Sequence, residues 1–479
     1  MKKITRREVL KKFTAGVSTV AVLPDMSLGS GNYSFAESPF AAKSAQRNKP
    51  LILAAFVRPD VERYWLGWPG TSYDIGGHQQ QYTKIIKEAA KKLGTELKVI
   101  EKPLHDENTI NAFLKNLEVS KPDGIIITAM SLNKPAWPNI NHIAENRGDI
   151  PTVIFSPMGT SFTQHLQGTR NISGVYVGAT QDLSWLSYGM QMLNTLWQMK
   201  NTRLCILQGD KTEDRIVDVY GTTLHYIPRS RFPEEFKKTE TTSEMKSIAD
   251  YYEALAEKTV EPNRQDMINA AKNYVVARRI MAEENCQGIS MDCLGLVREH
   301  QIPCPPCLAW TRLNDEGSVG ACEAAWKSAV LLRLTSLLFE RPGFMQDPAP
   351  NTVKNTLMAA HCACPTKLNG FNASHEPFLL RSHAESNIGV SMQTKWGLNK
   401  EVTIFDFKEP SSMYIGTGKV IGNIDTPPAG GCRTSIDVEL NGIRDTLDTK
   451  GFHQIIVYGN LEKELSAYCH LSGINVEHI

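Results

Sequence analysis

The sequence predicts an α/β protein with two Rossmann-like parallel α/β domains followed by a β-rich C-terminal domain. From residue 50 onward, short apolar runs of strand length alternate with helical stripes, which is typical of a parallel sheet covered on both faces. After about residue 345 the pattern changes to strands separated by glycine and proline turns. The domains are therefore predicted at residues 50–200, 201–344 and 345–479.

The composition excludes several classes of function. The 479 residues include 52 Lys and Arg against 51 Asp and Glu, which gives a net charge of +1. This balance predicts no basic surface for nucleic acid or anionic lipid. No run of eighteen apolar residues occurs, so we expect no membrane insertion. The remaining expectation is a multi-domain protein that acts on a small molecule.

The N-terminal residues predict an export signal. Arg6 and Arg7 lie in a Thr-Arg-Arg-x-apolar-Leu-Lys motif that resembles the twin-arginine signal. An apolar stretch and small residues at the spacing needed by signal peptidase come next. We predict a signal peptide at 1–36, a linker at 37–49, and a periplasmic or secreted protein exported by the twin-arginine machinery. A basic amphipathic tail is the alternative.

Apolar runs and helical stripes give the elements in order. The first domain is predicted to contain strands at 51–57, 97–100, 124–128, 151–155 and 174–177, with helices at 78–93 and about 109–117. The central domain is predicted to contain strands at 203–207 and 288–291, a charged helical region at 233–284 that is interrupted near Pro262, and an apolar helix at 323–339. The last domain is predicted to contain strands at 402–405, 435–438 and 454–457, then a helix at 461–471 that closes the chain.

Acidic residues and a histidine around the apolar helix form a candidate metal site. Glu323 is predicted in the first turn of this helix, where free amide groups favour an anion. Asp347 follows the end of the helix, so a return of the chain can bring it beside Glu323. Two carboxylates with one or two histidines suit Mn²⁺ or a related divalent cation. Spacing alone leaves open whether these groups are ligands or solvated carboxylates and core histidines.

Sequence motifs of several other common enzyme classes are absent. The sequence has no dinucleotide-binding glycine motif, no Gly-x-Ser-x-Gly and no His-Glu-x-x-His. We therefore expect no nucleotide cofactor and no serine nucleophile. Cys304 and Cys307 form a CxxC pair, a spacing used in redox and zinc sites, but buried thiols are the alternative.

Residues 323–338 resemble the active-site helix of the L-fucose isomerase and L-arabinose isomerase superfamily. The resemblance is strong from about 310 to 470 and only architectural from 50 to 300. It implies that Glu323 and Asp347 are metal ligands and catalytic carboxylates. It further implies that His453, in a Gly-Phe-His motif before a strand, is a ligand and that His361 is a possible fourth. A Mn²⁺ site between the last two domains and a homo-oligomer, hexamer or trimer, are also implied.

The reaction implied is aldose–ketose isomerisation of a sugar through an enediolate. One carboxylate removes a proton beside the carbonyl, and the other returns it or moves the hydroxyl proton. His383 is a candidate substrate contact or a structural hydrogen-bonding residue. The substrate-binding candidates that follow the first strand, with a subunit contact as the alternative, are Arg58, Trp65, Trp68 and His78.

Two positions depart from the family pattern. Both enzyme branches commonly have an aspartate two residues after the helix glutamate, where this chain has Ala325. The arabinose branch places its second glutamate where this chain has Gln346, so Asp347 must supply the second carboxylate. Ala325 favours the alternative of a non-catalytic exported sugar-binding protein on the same scaffold. A sugar epimerase is a further alternative.

Overall fold

A computed structural model describes residues 47–64, 73–132, 134–426 and 431–479. The predicted signal peptide lies outside the described residues, as do Trp65 and Trp68. Within the described ranges, no helix combines the length and apolar character needed to cross a membrane.

The first domain has a parallel five-stranded sheet in the order β2-β1-β3-β4-β5. Alternate residues of β1 enter two different cores, because helices cover both faces of the sheet as predicted. The strands are β1 (Leu51–Val57), β2 (Glu96–Val99), β3 (Gly124–Ala129), β4 (Thr152–Pro157) and β5 (Val175–Thr180). The helices are α1 (Ile75–Leu93), α2 (Glu107–Ser120), α3 (Ala136–Asn146), α4 (Thr163–Arg170) and α5 (Ser184–Lys200).

Capping residues fix the ends of these helices. Helix α1 begins three residues earlier than predicted because the Asp74 side chain accepts a hydrogen bond from the Gly77 amide. It ends at Gly94, whose φ of 66° is the left-handed conformation that favours glycine. Asp106 and Thr109 form a reciprocal capping box at the start of α2.

The central domain has a second five-stranded sheet in the order β11-β10-β6-β8-β7. Its strands are parallel except β7, which is antiparallel to β8 and was not predicted because its residues are mostly exposed and charged. The strands are β6 (Arg203–Leu207), β7 (Glu213–Val217), β8 (Thr222–Ile227), β9 (Lys258–Thr259, outside this sheet), β10 (Gly288–Met291) and β11 (Val319–Cys322). The helices are α6 (Arg231–Lys238), α7 (Ser243–Leu255), α8 (Arg264–Glu283), α9 (Cys293–Arg298), α10 (Cys307–Asp315) and α11 (Trp326–Phe339).

Helix α11 corrects one prediction. Glu323 is not in the first turn, because the helix begins at Trp326. Glu323 and Ala324 have φ values of 60° and 52°, and two consecutive left-handed residues cannot continue a right-handed helix. Ala325 is the N-cap residue and makes no side-chain cap. The Glu323 carboxylate therefore belongs to the loop that leaves β11.

The C-terminal domain is a β-barrel. Its strands follow the order β16-β19-β12-β13-β18-β17, and β17 also pairs with β16, which closes the ring. The predicted terminal helix does not close the chain, because β20 follows it and pairs in parallel with β17. The strands are β12 (Phe344–Asn351), β13 (Thr356–His361), β14 (Phe378–Arg381), β15 (Ser391–Thr394), β16 (Glu401–Glu409), β17 (Ser412–Asn423), β18 (Thr434–Leu440), β19 (Gln454–Tyr458) and β20 (Asn475–His478). The helices are the 3₁₀ turn Thr446–Asp448 and α12 (Glu462–Ser472).

The central and C-terminal domains also share a small sheet. Strand β9, between α7 and α8, pairs with β14, and β14 pairs with β15. This pairing explains why the charged region predicted as helical at 233–284 is interrupted. A single large apolar core joins residues from all three domains.

Candidate metal centre

Three adjacent barrel strands carry an aspartate and two histidines to one place. In the β12–β19 pair, Gln346 lies opposite Gln454, which puts the next residues, Asp347 and His453, opposite each other. On the other side of β12, Asp347 pairs with Ala360, so His361 is one residue further along β13. The antiparallel register, rather than sequence spacing, therefore brings these three side chains together.

Glu323 reaches the same place from the central domain. It follows β11 directly, at the carboxyl end of a parallel strand, where α/β sheets expose their ligand loops. Its left-handed backbone is uncommon for a residue with a side chain, and such strain costs on the order of 1–3 kcal/mol. His453 has the same feature, with φ of 57°. Strained residues concentrate at functional sites, so this geometry favours a functional role.

His453 lies between two carboxylates. Its Nε2 atom is 3.3 Å from Oε2 of Glu323 and 3.1 Å from Oδ1 of Asp347. The Nε2 atom of His361 is 3.8 Å from Oε1 of Glu323. One donor atom from each of Glu323, His361 and His453 lies within 4.8 Å of the others, an arrangement that no other group of such residues reaches in the described ranges. Asp347 contacts this group through His453 but is not part of it.

The two carboxylates change the protonation of His453. Burial disfavours the charged imidazolium, but the negative charges of Asp347 and Glu323 outweigh it and raise the pKa of His453 to about 9. Without a cation, the imidazolium is thus the positive charge that balances two carboxylates. A divalent cation at this point would take over that role and displace the proton.

Three polar atoms at the site have no hydrogen-bond partner: Nε2 of His453, Oδ1 of Asp347 and Nδ1 of His361. The first two are close enough for an ion pair but lack hydrogen-bond geometry. A buried polar atom left unpaired costs about 1–3 kcal/mol, so unpaired atoms on three neighbouring side chains fit a site built for a ligand. Imidazole nitrogens with carboxylate oxygens suit Mn²⁺ or a related divalent cation. The residues present therefore fit the implied metal.

The site is open on the carboxylate side. The side chain of His361 is 5% exposed, whereas those of Glu323 and Asp347 are 30% and 34% exposed. Gln346 is fully buried, and its amide donates to Oε1 of Gln454 at 2.5 Å. Asp347 is thus the residue of this pair that faces the open side.

The loop before β19 holds an exposed aromatic ring beside the site. The Phe452 side chain is 64% exposed, and its ring centroid is 4.3 Å from that of His453. Its amide donates to Oδ2 of Asp406 at 3.0 Å. Gly451 has φ of 96°, and a Cβ atom there would lie 2.6 Å from Asp406. Glycine is therefore required for the backbone to pass Asp406 and present Phe452.

His383 lies behind the metal centre. Its Nδ1 atom is 2.9 Å from the Ser386 hydroxyl, and its ring lies beside the thiol of Cys362, the residue after His361. Burial opposes the charged form of His383, but this thiol raises its pKa above the ordinary value. The side chain is nearly buried, so its described contacts are those of a residue that supports the wall of the site.

Arg58 and His78 are in the first domain. The Arg58 guanidinium donates to Oε1 of Gln79 at 2.6 Å and to two backbone carbonyls. It lines an open cavity of about 650 Å³ together with residues of α1 and Glu101. The ring of His78 stacks on Tyr73 at 4.9 Å. These contacts stay within the first domain, so the structure of one chain does not bring either residue to Glu323.

Two segments of the chain match known sequence families. Residues 198–340 match the L-arabinose isomerase central domain, and Glu323 lies in this range. The match extends the sequence similarity well upstream of residue 310, where we expected only a shared architecture. Residues 77–159 match the family of periplasmic binding proteins and the sugar-binding domain of the LacI family. A search of curated proteins finds no match to the chain.

Two solved structures of binding proteins show a low similarity to this chain. An ABC transporter solute-binding protein from Burkholderia multivorans is 11% identical, with 62% of this chain and 95% of that chain covered and a TM-score of 0.19. GanP, a glucose-galactose binding protein from Geobacillus stearothermophilus, is 16% identical, with 62% and 93% covered and a TM-score of 0.18. These TM-scores establish no common overall fold. By sequence, this chain is therefore similar to the L-arabinose isomerase central domain over residues 198–340 and to a sugar-binding domain family over residues 77–159.

Proposed function

We propose that the protein is a metal-dependent aldose–ketose isomerase. The observation that carries the proposal is the convergence of Glu323, His361 and His453, with Asp347 in contact with His453. The match of residues 198–340 to an isomerase domain supports the same class. No described residue outside this centre offers a comparable group of donors.

Glu323, His361 and His453 would hold a divalent cation such as Mn²⁺, with Asp347 as a further candidate ligand. When bound, such an ion supplies a Lewis acid that polarises the carbonyl of an open-chain sugar. The open side of the centre, formed by the two carboxylates, is where the sugar would enter.

Asp347 and Glu323 are the candidates for proton transfer. Each has a carboxylate that is partly exposed on the open side and within 3.3 Å of Nε2 of His453. One removes the proton from the carbon beside the carbonyl, and the other moves a proton to the neighbouring carbon or oxygen. A positioned base of this kind contributes on the order of 10²–10⁴-fold to the rate.

Phe452 would contact the apolar face of the sugar. Its ring is exposed beside His453, and the bond from its backbone amide to Asp406 holds this part of the loop in place. Sugar rings and chains present C–H groups on one face, which pack against aromatic rings. His383, by contrast, is proposed to support the site from behind, through Cys362.

A binding protein without catalytic activity is the second candidate. Ala325 lacks the carboxylate that the isomerase families commonly have, and residues 77–159 match a family of sugar-binding domains. Such a protein would bind the metal and the sugar but would not catalyse conversion of the sugar. Epimerisation through the same enediolate differs from isomerisation only in its product.

The test is a screen of aldoses and ketoses with Mn²⁺-loaded protein, followed by NMR. Isomerisation predicts that one aldose and its ketose interconvert, and that protein treated with EDTA and the Asp347→Asn variant do not convert them. A new epimer in place of a ketose would identify an epimerase. Sugar binding by calorimetry without any conversion would support the binding protein.

We also propose that the chain is exported by the twin-arginine route and assembles as a homo-oligomer. The match of residues 77–159 to periplasmic binding proteins supports export. Replacing Arg6 and Arg7 together by Lys should leave the precursor in the cytoplasm. Unchanged cell fractionation of this double variant would contradict the route.

A further inference from the structure

Half of the ten cysteines form one cluster beside the metal centre. They come from α9, α10 and β11 of the central domain and from one end of the β13–β18 pair, namely Cys293, Cys307, Cys322, Cys362 and Cys432. All ten are free thiols in this structure. Cys322 precedes Glu323 and Cys362 follows His361, so the cluster forms part of the wall behind these two side chains. Isomerisation chemistry makes no use of them.

Cys362 is at the centre of this cluster. Its thiol lies beside the thiols of Cys307 and Cys432 and the ring of His383, the three groups that act most directly on it. Cys307 belongs to the start of α10, in the other domain, whereas Cys432 belongs to the same barrel as Cys362. Two neighbours of Cys362 are therefore close enough to be considered as disulfide partners.

The strand register favours Cys432 as the partner. The last registered pair of β13 and β18 is His361 opposite Thr434. Cys362 is one residue beyond His361, and Cys432 is two residues before Thr434, so they are diagonal neighbours at the ends of adjacent antiparallel strands. Both cysteines lie just beyond the strands, so the alternation of side chains along a strand does not hold them on opposite faces.

Exposure favours the same pair. Nine of the ten cysteines are buried, and Cys432 alone is partly exposed. Cys307 is only 3% exposed. A reagent from solution therefore meets Cys432 first, and Cys362 is the thiol directly behind it.

We propose that Cys362 and Cys432 form a reversible disulfide in exchange with a disulfide-containing oxidant, either a small molecule or a protein. In the first step the Cys432 sulfur attacks one sulfur of the oxidant, which leaves a mixed disulfide and releases the first reduced thiol. In the second step the Cys362 sulfur attacks the Cys432 sulfur and releases the second reduced thiol. The protein thiols lose two electrons and two protons, and the oxidant disulfide gains them.

The test uses the full chain, oxidised glutathione as the probe, and alkylation followed by peptide mass spectrometry. The proposal predicts that the number of free thiols falls by two, that a peptide pair linked through Cys362 and Cys432 appears, and that dithiothreitol reverses both changes. The Cys205→Ser variant, altered in a buried strand of the central sheet, should form the same link, and Cys432→Ser should not.

Three results would overturn the proposal: no loss of thiols, a link between Cys362 and Cys307, or a stable glutathione adduct on Cys432. The peptide map of the unaltered protein decides among them even where Cys432→Ser does not fold. The outcome does not depend on sugar conversion, so the isomerase proposal and this one can fail separately.

Discussion

Ser328, in the first turn of α11, donates its hydroxyl hydrogen to the backbone carbonyl of His453 at 3.1 Å. This bond joins the helix that follows Glu323 to the loop that carries His453, so ligands from two domains share one positioning contact. Groups that orient metal ligands typically affect metal affinity by about 10–100-fold. We expect Ser328→Ala to weaken Mn²⁺ binding by about tenfold, measured by calorimetry.

The same helix offers the matched control for this variant. Ser336 is also nearly buried, but its hydroxyl donates to the Gly317 carbonyl at 2.8 Å, away from the metal centre. Ser336→Ala should reduce the free energy of unfolding by about 0.5–1.5 kcal/mol and leave the Mn²⁺ affinity unchanged. Equal Mn²⁺ affinities for both variants would mean that Ser328 does not position His453.

Metal affinity should rise with pH because the cation must displace the proton of His453. The pKa of this residue is raised to about 9 in the metal-free protein, so the imidazole is protonated at neutral pH. Release of one proton predicts about a tenfold gain in Mn²⁺ affinity for each pH unit between 6 and 8. An affinity independent of pH in this range would exclude His453 as a ligand.

The same pKa predicts the opposite trend for the stability of the metal-free protein. His453 binds its proton more tightly in the folded than in the unfolded chain, where its ordinary pKa is 6.5. This contribution is fully present below about 6.5 and is lost as the pH rises through about 9. The urea midpoint of EDTA-treated protein should fall across this window, and it should fall less in His453→Gln than in the surface variant His470→Gln.

Ala325 leaves the N-terminus of α11 without a side-chain cap. We expect Ala325→Asp and Ala325→Asn each to raise the free energy of unfolding by about 0.5–2 kcal/mol, because both side chains can accept an amide hydrogen of the first turn. Only Asp adds a negative charge near Glu323, so only Ala325→Asp should also tighten Mn²⁺ binding. Unchanged urea midpoints in both variants would show that the helix end gains nothing from a cap.

Asp347 should matter more for turnover than for sugar binding. Asp347→Asn keeps the size of the side chain but removes the base, so kcat should fall by about 10²–10⁴-fold with a small change in KM. Glu340→Asn, at the far end of α11, is the control and should keep its kcat. Loss of sugar binding with unchanged kcat would give Asp347 a binding role only.

The sequence predicted all five strands of the first sheet, because buried strands such as β1 are continuous apolar runs that end at recognisable turns. In the second sheet it predicted β6 and β10 but missed the buried strands β8 and β11, whose sequences mix apolar with polar or small residues. It did not predict β7, whose residues are mostly exposed at a sheet edge, or β20, which follows α12 as a short polar strand. The local sequence pattern does not identify such strands, since they form by pairing with strands that are distant in the sequence. For the same reason, the pairing of β16 with β17 that closes the barrel could not be predicted from the sequence.

The candidate residues of the centre were named from the sequence, but their arrangement was not available there. Glu323 was expected in a helical turn, and only the left-handed backbone at 323–324 places it in a loop. The register that sets Asp347 opposite His453 depends on strand pairing across about a hundred residues. The contact of Ser328 with His453 could not be predicted, because nothing in the sequence distinguishes this serine from other polar residues in an apolar helix.

The central claim is that Glu323, His361 and His453 hold one divalent cation. Its most direct test is the Mn²⁺ content of the purified protein, titrated by electron paramagnetic resonance in the unaltered chain, in Glu323→Gln and in the surface control Glu88→Gln. We expect one tightly bound ion in the unaltered protein and in Glu88→Gln. In Glu323→Gln we expect the Mn²⁺ affinity to fall at least tenfold, because this substitution keeps the shape of the side chain but removes its charge. Equal Mn²⁺ binding by all three proteins would contradict it.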